Sequence, residues 1–169
     1  MKKITIFLSF LAFILPTWQV NAQIQIAPWL ENVETHTPTT NSTITTNAWS
    51  STPSGTTTAY RWNIDGAGST PSGSTGPSGA FSGVNYFYTE ASNGSAGDVA
   101  ELISPQIDLT ALTNPVLEFR YHMYGQTMGD LYIEVFNGTV WTVVDSIKGE
   151  QHFSATDPWS LHTIYTQTK

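Results

Sequence analysis

Hydrophobic and polar residues alternate in short runs along this chain, which is the pattern of half-buried β-strands. Two clear runs are residues 116–124, VLEFRYHMY, and residues 130–136, DLYIEVF. The apolar residues of each run fall on one face: Leu117, Phe119, Tyr121 and Met123 in the first, Leu131, Ile133 and Val135 in the second. No stretch after residue 22 has the i, i+3, i+4 spacing of an amphipathic helix. The pattern predicts an all-β protein.

The loop of residues 125–129 predicts that these two runs form an antiparallel hairpin. If Tyr124 pairs with Asp130, every inward residue of one strand meets an apolar residue of the other. The same register brings Arg120 opposite Glu134 on the outer face, as a cross-strand charge pair. We therefore predict that Arg120 and Glu134 form a structural pair that holds the register.

A second hairpin is indicated by Asn137-Gly138, because both residues tolerate the positive φ angles of a type I′ turn. A two-residue loop would pair Glu134 with Trp141 and would place Trp141, Tyr132 and His122 on the outer face. One interpretation is a ligand face, on which the aromatic rings stack on a sugar or pack on a partner. The other is that a second sheet covers these aromatics inside a sandwich.

The N-terminus has the pattern of a secretory signal peptide. Lys2 and Lys3 precede an apolar run from Ile4 to Leu15, and Val20-Asn21-Ala22 offers a small-residue cleavage site. We predict a cleaved signal at residues 1–22 and one exported domain at residues 23–169, so that the protein is secreted or held at the cell surface. The alternative is an uncleaved anchor. No later apolar run is long enough to cross a membrane.

Composition narrows the classes of partner and of chemistry. The chain has 169 residues, a net charge of −7 and no cysteine. Loss of Lys2 and Lys3 with the signal would lower that charge to about −9, which disfavours binding to nucleic acid or to anionic lipid. The absence of cysteine excludes thiol catalysis and cysteine-based metal sites.

Catalytic motifs are missing from the sequence. There is no G-x-S-x-G elbow, no H-E-x-x-H and no phosphate-binding glycine loop. A glycoside hydrolase would need two carboxylates on one face. Glu118 and Glu134 are one such choice, but the predicted register pairs Glu134 with Arg120. The sequence therefore favours a non-catalytic protein.

A series of short motifs follows one order along residues 30–165. It consists of Leu30-Glu31, Trp62, Thr75-Gly76-Pro77, Tyr86-Phe87-Tyr88, Ala100-Glu101-Leu102-Ile103-Ser104-Pro105, Leu117-Glu118-Phe119, Tyr121-His122-Met123-Tyr124-Gly125, Met128-Gly129 and Trp159. This order resembles the MAM domain, an extracellular adhesion module named after meprin, the A5 protein and receptor phosphatase mu. The cysteine-free form is similar to MAM domains of exported bacterial proteins. The resemblance implies a concanavalin-like, jelly-roll β-sandwich.

The resemblance also has implications for calcium and for the extent of the domain. MAM-like jelly rolls often hold Ca²⁺ near their N-terminal segment, which makes Glu31 and Asp65 the candidate ligands by position. The family loop often reads TGP-x-x-D-H, whereas this chain has Ala80-Phe81 and lacks that acidic ligand. The alternative is therefore that Glu31 and Asp65 are solvated surface groups. Similar domains continue through further strands, which predicts that residues 23–169 are an incomplete domain; the alternative is a smaller, complete sandwich.

The function implied by the resemblance is recognition or adhesion outside the cell, with a cell-surface protein or a glycan as partner. It requires no cofactor other than the possible Ca²⁺. One alternative is a carbohydrate-binding module, because sandwich folds with exposed tryptophan and tyrosine bind glycans by stacking. A second alternative is a glycoside hydrolase of lectin-like fold. The fold alone does not choose among these uses.

Overall fold

The structure is a computed structural model that describes residues 2–8, 24–54 and 60–165. This part of the chain is built from ten β-strands and two short 3-10 turns, and no helix in it is long and apolar enough to cross a membrane. The strands are β1 (Lys2–Leu8), β2 (Gln25–Ile26), β3 (Ser50–Ser54), β4 (Trp62–Gly66), β5 (Asn85–Thr89), β6 (Val99–Asp108), β7 (Val116–Tyr121), β8 (Leu131–Phe136), β9 (Trp141–Ile147) and β10 (Ser160–Tyr165). The expected all-β fold is confirmed.

One layer of the sandwich is a six-stranded sheet, which we call the main sheet. Its strand order is β2-β6-β1-β8-β9, and β3 also pairs with β6. The strand β1 runs parallel to both β6 and β8, whereas β8 and β9 form an antiparallel hairpin. The strand β9 pairs only with β8 among the described strands, so it forms one edge of this sheet.

The second layer consists of two antiparallel pairs, β4 with β5 and β7 with β10. In the second of these pairs, Ile164 lies opposite Leu117, and both contact the core. The loop of residues 67–84 joins β4 to β5 within the described part of the chain. It includes most of the Gly- and Ser-rich residues 66–79 and connects two directly paired antiparallel strands as a long hairpin loop.

The hydrophobic core lies between the two layers. The fully buried residues Leu102 and Ile133 come from the main sheet, and Ile64 comes from β4. Trp62 reaches across the layers, and its indole Nε1 donates hydrogen bonds to the carbonyl oxygens of Lys3 at 3.1 Å and Ala100 at 3.2 Å. A cleft of about 1230 Å³ remains between the layers, so the sandwich interior is only partly filled.

The predicted hairpin of β7 with β8 is wrong, because these strands lie in different layers. The segment that joins them does not turn tightly. The backbone of Met123 instead bonds to Gln151 and His152, at 2.8 and 2.9 Å. Gly125 and Gly129 take φ angles of 138° and 70°, which an L side chain rarely adopts, and so let the chain cross between layers.

The predicted Arg120–Glu134 pair is wrong for the same reason. Arg120 lies on β7, where its guanidinium sits 4.6 Å from the centroid of the Phe81 ring. Glu134 lies on β8 in the main sheet and forms an ion pair with Lys3 at 3.2 Å. The inward faces are nevertheless as predicted, since Met123, Leu131 and Ile133 are all buried.

The second predicted hairpin is confirmed, but each residue of β8 pairs with a residue of β9 two positions further along the chain than predicted. Phe136 pairs with Trp141, and Glu134 pairs with Val143. The side-chain oxygen of Asn137 accepts hydrogen bonds from the backbone N–H groups of Thr139 and Val140, both at 3.0 Å. These bonds place Gly138 and Thr139 at the tip of the turn. Because the partners shift by two residues, Trp141 stays on the outer face.

The strand β1 comes from the segment that the sequence identifies as a signal peptide. The predicted cleavage site and the first mature residue, Gln23, lie outside the described residues, so processing stays a prediction. Within β1, Lys2 is buried between Ala100 and Leu131, and this burial lowers its pKa to about 8. An ammonium group at such a position opposes folding, on the order of 3 kcal/mol for this pKa shift.

We predict that the stability of the full chain rises with pH between about 8 and 10 because of Lys2. In this window the unfolded chain keeps a proton that the folded chain releases. The free energy of unfolding, from urea titrations, should increase by about 2 kcal/mol between about pH 7.5 and pH 9.5. A Lys2→Met variant should lose this increase, whereas Lys148→Met, at an exposed site, should keep it. An equal rise in Lys2→Met would contradict the assignment.

Candidate interaction surface

The outer face of the main sheet follows from the alternation along β8. Leu131 and Ile133 point into the core, so Tyr132, Glu134 and Phe136 point away from it. The hairpin register adds Trp141 and Val143 from β9 to the same face. We call this face the outer face. It contains Tyr132 of β8 and Trp141 of β9, the two aromatic residues that were predicted to lie on it.

One end of the outer face is apolar. The rings of Phe136 and Trp141 contact each other, with centroids 4.9 Å apart and planes tilted by 38°. Val140 and Val143 beside them are 53% and 51% exposed. Since β9 is also a sheet edge, its backbone and this apolar end are presented together. We call Phe136, Val140, Trp141 and Val143 the aromatic edge.

The other end of the outer face is polar and internally bonded. The Nζ of Lys148 lies 3.7 Å from the centroid of the Tyr132 ring and 3.1 Å from Oδ2 of Asp130. The hydrogen bond from Lys148 lowers the pKa of Asp130, and hydrogen bonds to Tyr132 and Asp130 raise the pKa of Lys148. Lys148 therefore covers the Tyr132 ring, which would have to lose this contact in order to stack on a ligand.

Two carboxylates flank β1 in the centre of this face. The Nζ of Lys3 is 3.7 Å from Glu101 on β6 and 3.2 Å from Glu134 on β8. Glu134 is buried, whereas the Glu101 side chain is about one third exposed. Thr52 on β3 donates a further hydrogen bond to Glu101 at 3.1 Å. One cation from β1 thus offsets part of the negative charge of the two carboxylates.

His122 does not join the predicted ligand face. It follows β7 in the second layer, where its ring stacks on His152 at 4.3 Å and lies 5.8 Å from Trp159. Burial, followed by the proximity of His152, lowers its pKa. His122 is thus a packing residue held neutral at physiological pH. The error has the same origin as the wrong hairpin, because it assumed that β7 pairs with β8.

Glu31 is occupied by hydrogen bonds within the protein. Its Oε2 accepts from Nε1 of Trp49 at 2.9 Å and lies 3.3 Å from Nε2 of His36, and its Oε1 accepts from the backbone N–H of Val33 at 2.7 Å. The sequence did not reveal this network, because Trp49 lies 18 residues from Glu31 and no periodic pattern links Glu31, His36 and Trp49. Its only sequence signal was that Trp49 is one of two large apolar anchors in a polar segment.

Asp65 is placed on β4, where it accepts a hydrogen bond from the hydroxyl of Tyr86 at 3.2 Å. Burial and the charge of Asp65 raise the pKa of that tyrosine. Within the described ranges, no group of three or more histidine or acidic residues is arranged to hold a metal ion. The structure therefore gives both Glu31 and Asp65 roles in hydrogen bonding.

The carboxylates considered for glycoside hydrolysis are also separated. Glu118 lies on β7 and accepts a hydrogen bond from Thr163 on β10 at 3.2 Å. Glu134 lies on β8 in the other layer and pairs with Lys3. Two carboxylates that act on one glycosidic bond must flank it from a common site. This pair does not meet that requirement.

The two layers define a β-sandwich domain, and comparison with known proteins gives its family. The family profile of the MAM domain, meprin/A5/mu, matches residues 42–169. Among curated proteins, Neuropilin-1a of Danio rerio is 33% identical over 98 residues, which cover 54% of this chain and 10% of the relative. No solved structure matches the chain.

The chain belongs to the MAM domain family, because the matched region includes most of its residues. It spans only about a tenth of the length of the curated relative. The family and this relative support an extracellular adhesion or recognition module in general terms. The resemblance seen in the order of sequence motifs is thereby confirmed.

We predict that Glu31 contributes to stability rather than to calcium binding. Glu31→Ala leaves the indole N–H of Trp49 and the backbone N–H of Val33 without their acceptor, which should cost about 1 to 3 kcal/mol in urea unfolding. Glu118→Ala, which removes one exposed hydrogen bond, is the matched control and should cost less. Calcium at about 5 mM, enough for weak extracellular sites, should leave the Tm unchanged. A Tm that rises with calcium in the original chain, but not in Glu31→Ala, would show that Glu31 is a ligand.

Proposed function

We propose that this protein is a non-catalytic recognition module that acts outside the cell and binds a cell-surface protein through the aromatic edge. The observation that carries this proposal is the contact between the Phe136 and Trp141 rings, next to the exposed Val140 and Val143, at the open edge of the main sheet. Aromatic residues are enriched in protein interfaces, and apolar side chains clustered on a surface mark sites of interaction. Membership of an adhesion family supports the same assignment.

Export by a cleaved leader is part of this proposal. The leader is residues 1–22, which carry a basic start, an apolar run and a small-residue cleavage site. The mature domain then begins at Gln23. It needs no cofactor, since the contacts proposed for the aromatic edge are packing contacts.

A glycan is the second candidate partner. It is favoured by one observation, the place of Trp141 on the outer face, because tryptophan rings stack on sugars. The tilt of 38° between Trp141 and Phe136 argues against a flat two-ring platform of the kind that suits a polysaccharide chain. A protein partner is therefore the first choice.

We predict that Trp141→Ala weakens attachment to cells. Fluorescently labelled protein should bind intact cells of the producing organism, and trypsin treatment of those cells should abolish binding. Trp141→Ala should reduce the affinity at least about tenfold, as expected for an interface tryptophan. Phe153→Ala is the control, because Phe153 is also aromatic and is 79% exposed, but lies outside the aromatic edge.

Several results would count against a protein partner. Retention on insoluble cellulose, chitin or xylan that is lost in Trp141→Ala, with trypsin-insensitive cell binding, would establish the glycan alternative. Equal binding by the Trp141→Ala and Phe153→Ala variants would remove the aromatic edge from the interaction altogether.

We predict separately that the exported protein begins at Gln23. Expression of the full chain in a bacterial host, followed by intact-mass analysis of the periplasmic and medium fractions, should give the mass of residues 23–169. Replacing Ala22 with a bulky residue, as in Ala22→Trp, should block processing at this position. A mass that includes Met1 in the exported fraction would contradict cleavage and favour an anchor.

A further inference from the structure

The turn at Asn137-Gly138 has a chemical property besides its shape. When glycine follows asparagine, the peptide nitrogen of the glycine can attack the side-chain amide of the asparagine, because no Cβ shields that nitrogen. Asn-Gly occurs twice in the chain, at Asn93-Gly94 and at Asn137-Gly138. The two sites can therefore be compared within one fold.

The attacking nitrogen is free at one site and bonded at the other. Within the described residues, the backbone N–H of Gly138 makes no hydrogen bond. The backbone N–H of Gly94 donates to the carbonyl oxygen of Ala91 at 3.1 Å. A peptide nitrogen that donates a hydrogen bond must lose that bond before it can attack, which slows the reaction at Gly94.

The space around the two glycines differs in the same direction. A Cβ placed on Gly138 would meet no atom within 4 Å, and residues 137–140 are all exposed. A Cβ placed on Gly94 would lie 2.9 Å from the Tyr60 ring. The peptide group of Gly138 therefore has room to move toward the Asn137 side chain, whereas that of Gly94 is packed against an aromatic ring.

The Asn137 side chain is held in an arrangement that favours attack. Its Oδ1 accepts hydrogen bonds from the backbone N–H groups of Thr139 and Val140, both at 3.0 Å, which fold the side chain back over the turn. When a nitrogen adds to Cγ, negative charge develops on Oδ1, and these two N–H groups already point at that atom. The nitrogen that must leave, Nδ2, makes no hydrogen bond to the described residues.

We propose that Asn137 is a self-modification site, at which the turn converts its own amide into a carboxylate with water as the only co-reactant. The nitrogen of Gly138 loses its proton to solvent base and forms a bond to Cγ of Asn137. The bond between Cγ and Nδ2 then breaks, and Nδ2 takes up a proton and leaves as ammonia, which closes a five-membered succinimide ring. Water opens this ring at Cγ to give aspartate, or at the main-chain carbonyl carbon to give isoaspartate.

The two products affect the aromatic edge differently. Aspartate leaves the backbone unchanged and keeps an oxygen that can accept from Thr139 and Val140. Isoaspartate routes the backbone through Cβ and Cγ, so the turn gains one methylene group and loses this side-chain acceptor. The turn is closed by a hydrogen bond from Asn137 to Val140 at 3.2 Å, next to the paired residues Phe136 and Trp141. Isoaspartate should therefore displace these two rings, which lie 4.9 Å apart.

The modification gives the aromatic edge two states that differ with the age of the protein. Newly folded protein carries the intact turn, and older protein carries a turn with an added charge and, as isoaspartate, a longer backbone. Either product makes the chain one unit more negative than its net charge of −7. The chemistry of Asn137 is independent of the proposed function, whereas its effect on cell attachment rests on that function.

The first test compares the two Asn-Gly sites in the folded and the unfolded chain. The full chain is kept at mildly alkaline pH in buffer or in guanidinium chloride, then digested and mapped by mass spectrometry with separation of the aspartate and isoaspartate peptides. In the folded chain, Asn137 should react at least about tenfold faster than Asn93, because Gly94 must first lose a hydrogen bond and its packing. In the unfolded chain the two rates should be similar. Equal rates in the folded chain, or no product at Asn137, would overturn the proposal.

A glycine variant tests the attacking nitrogen. Gly138 has a φ of 95°, and asparagine tolerates positive φ better than most side chains do. Gly138→Asn adds a side chain beside the nitrogen, so conversion of Asn137 should slow at least about tenfold. The matched control is Gly97→Asn, because Gly97 has a φ of 94° and equally open surroundings in another turn. Conversion that slows equally in both variants, or in neither, would contradict attack by Gly138.

The second test follows the effect of isoaspartate on the aromatic edge. The asparagine, aspartate and isoaspartate forms are separated by chromatography, with Asn137→Asp as the reference for the aspartate form. The near-ultraviolet circular dichroism that is lost in Trp141→Ala should be kept by the asparagine and aspartate forms and reduced in the isoaspartate form. Cell attachment should weaken at least about tenfold in the isoaspartate form, as for loss of an interface tryptophan. Identical spectra and attachment in all three forms would overturn this effect.

The modification site and the proposed function can fail separately in these experiments. Isoaspartate at Asn137, in a protein whose attachment to cells does not depend on Trp141, would sustain the modification site and contradict the proposed function. Attachment that depends on Trp141, in an aged protein whose Asn137 is still an amide, would sustain the function and overturn the modification site.

Discussion

The sandwich depends on a strand that lies between β6 and β8 and forms hydrogen bonds with both. These two strands supply the buried residues Ala100, Leu102, Leu131 and Ile133, so their spacing decides where the inner face of the main sheet lies. In the chain that retains residues 2–8, the spacing is maintained by β1, which bonds to both neighbours. Trp62 ties the second layer to the same place through the carbonyl groups of Lys3 and Ala100. The central position of the sheet is thus also where the two layers are joined.

The outer face is a consequence of this arrangement. Since the inner side of β8 is used in the core, the alternate residues of β8 must point outward. The result is a surface with an aromatic edge at one end, a bonded Lys148–Asp130–Tyr132 cluster at the other and two carboxylates in the centre. Packing therefore uses one side of β8, and the outward residues on its other side can differ without disturbing the core.

Local patterns predicted the strands well and their partners less well. The alternation in residues 130–136 identified Leu131 and Ile133 as buried, and Asn137-Gly138 identified the β8–β9 hairpin. The same reasoning failed for β7, because an alternating strand shows which of its faces is apolar but not which sheet it joins. The candidate residues are separated for this reason. Tyr132 and Trp141 lie on the outer face, whereas Arg120 on β7 and His122 just after it lie in the other layer.

The sequence by itself determined the β-class, the family, the inward residues of the long strands and the turn at Asn137. These properties depend on residues that are close along the chain, or on an order of motifs that can be read directly. Only the tertiary structure decided that β7 pairs with β10, that Glu31 joins Trp49 and His36, and that β1 lies between β6 and β8. Such pairings are selected by the burial of apolar faces from distant segments, and that selection takes place only when both layers close over one core.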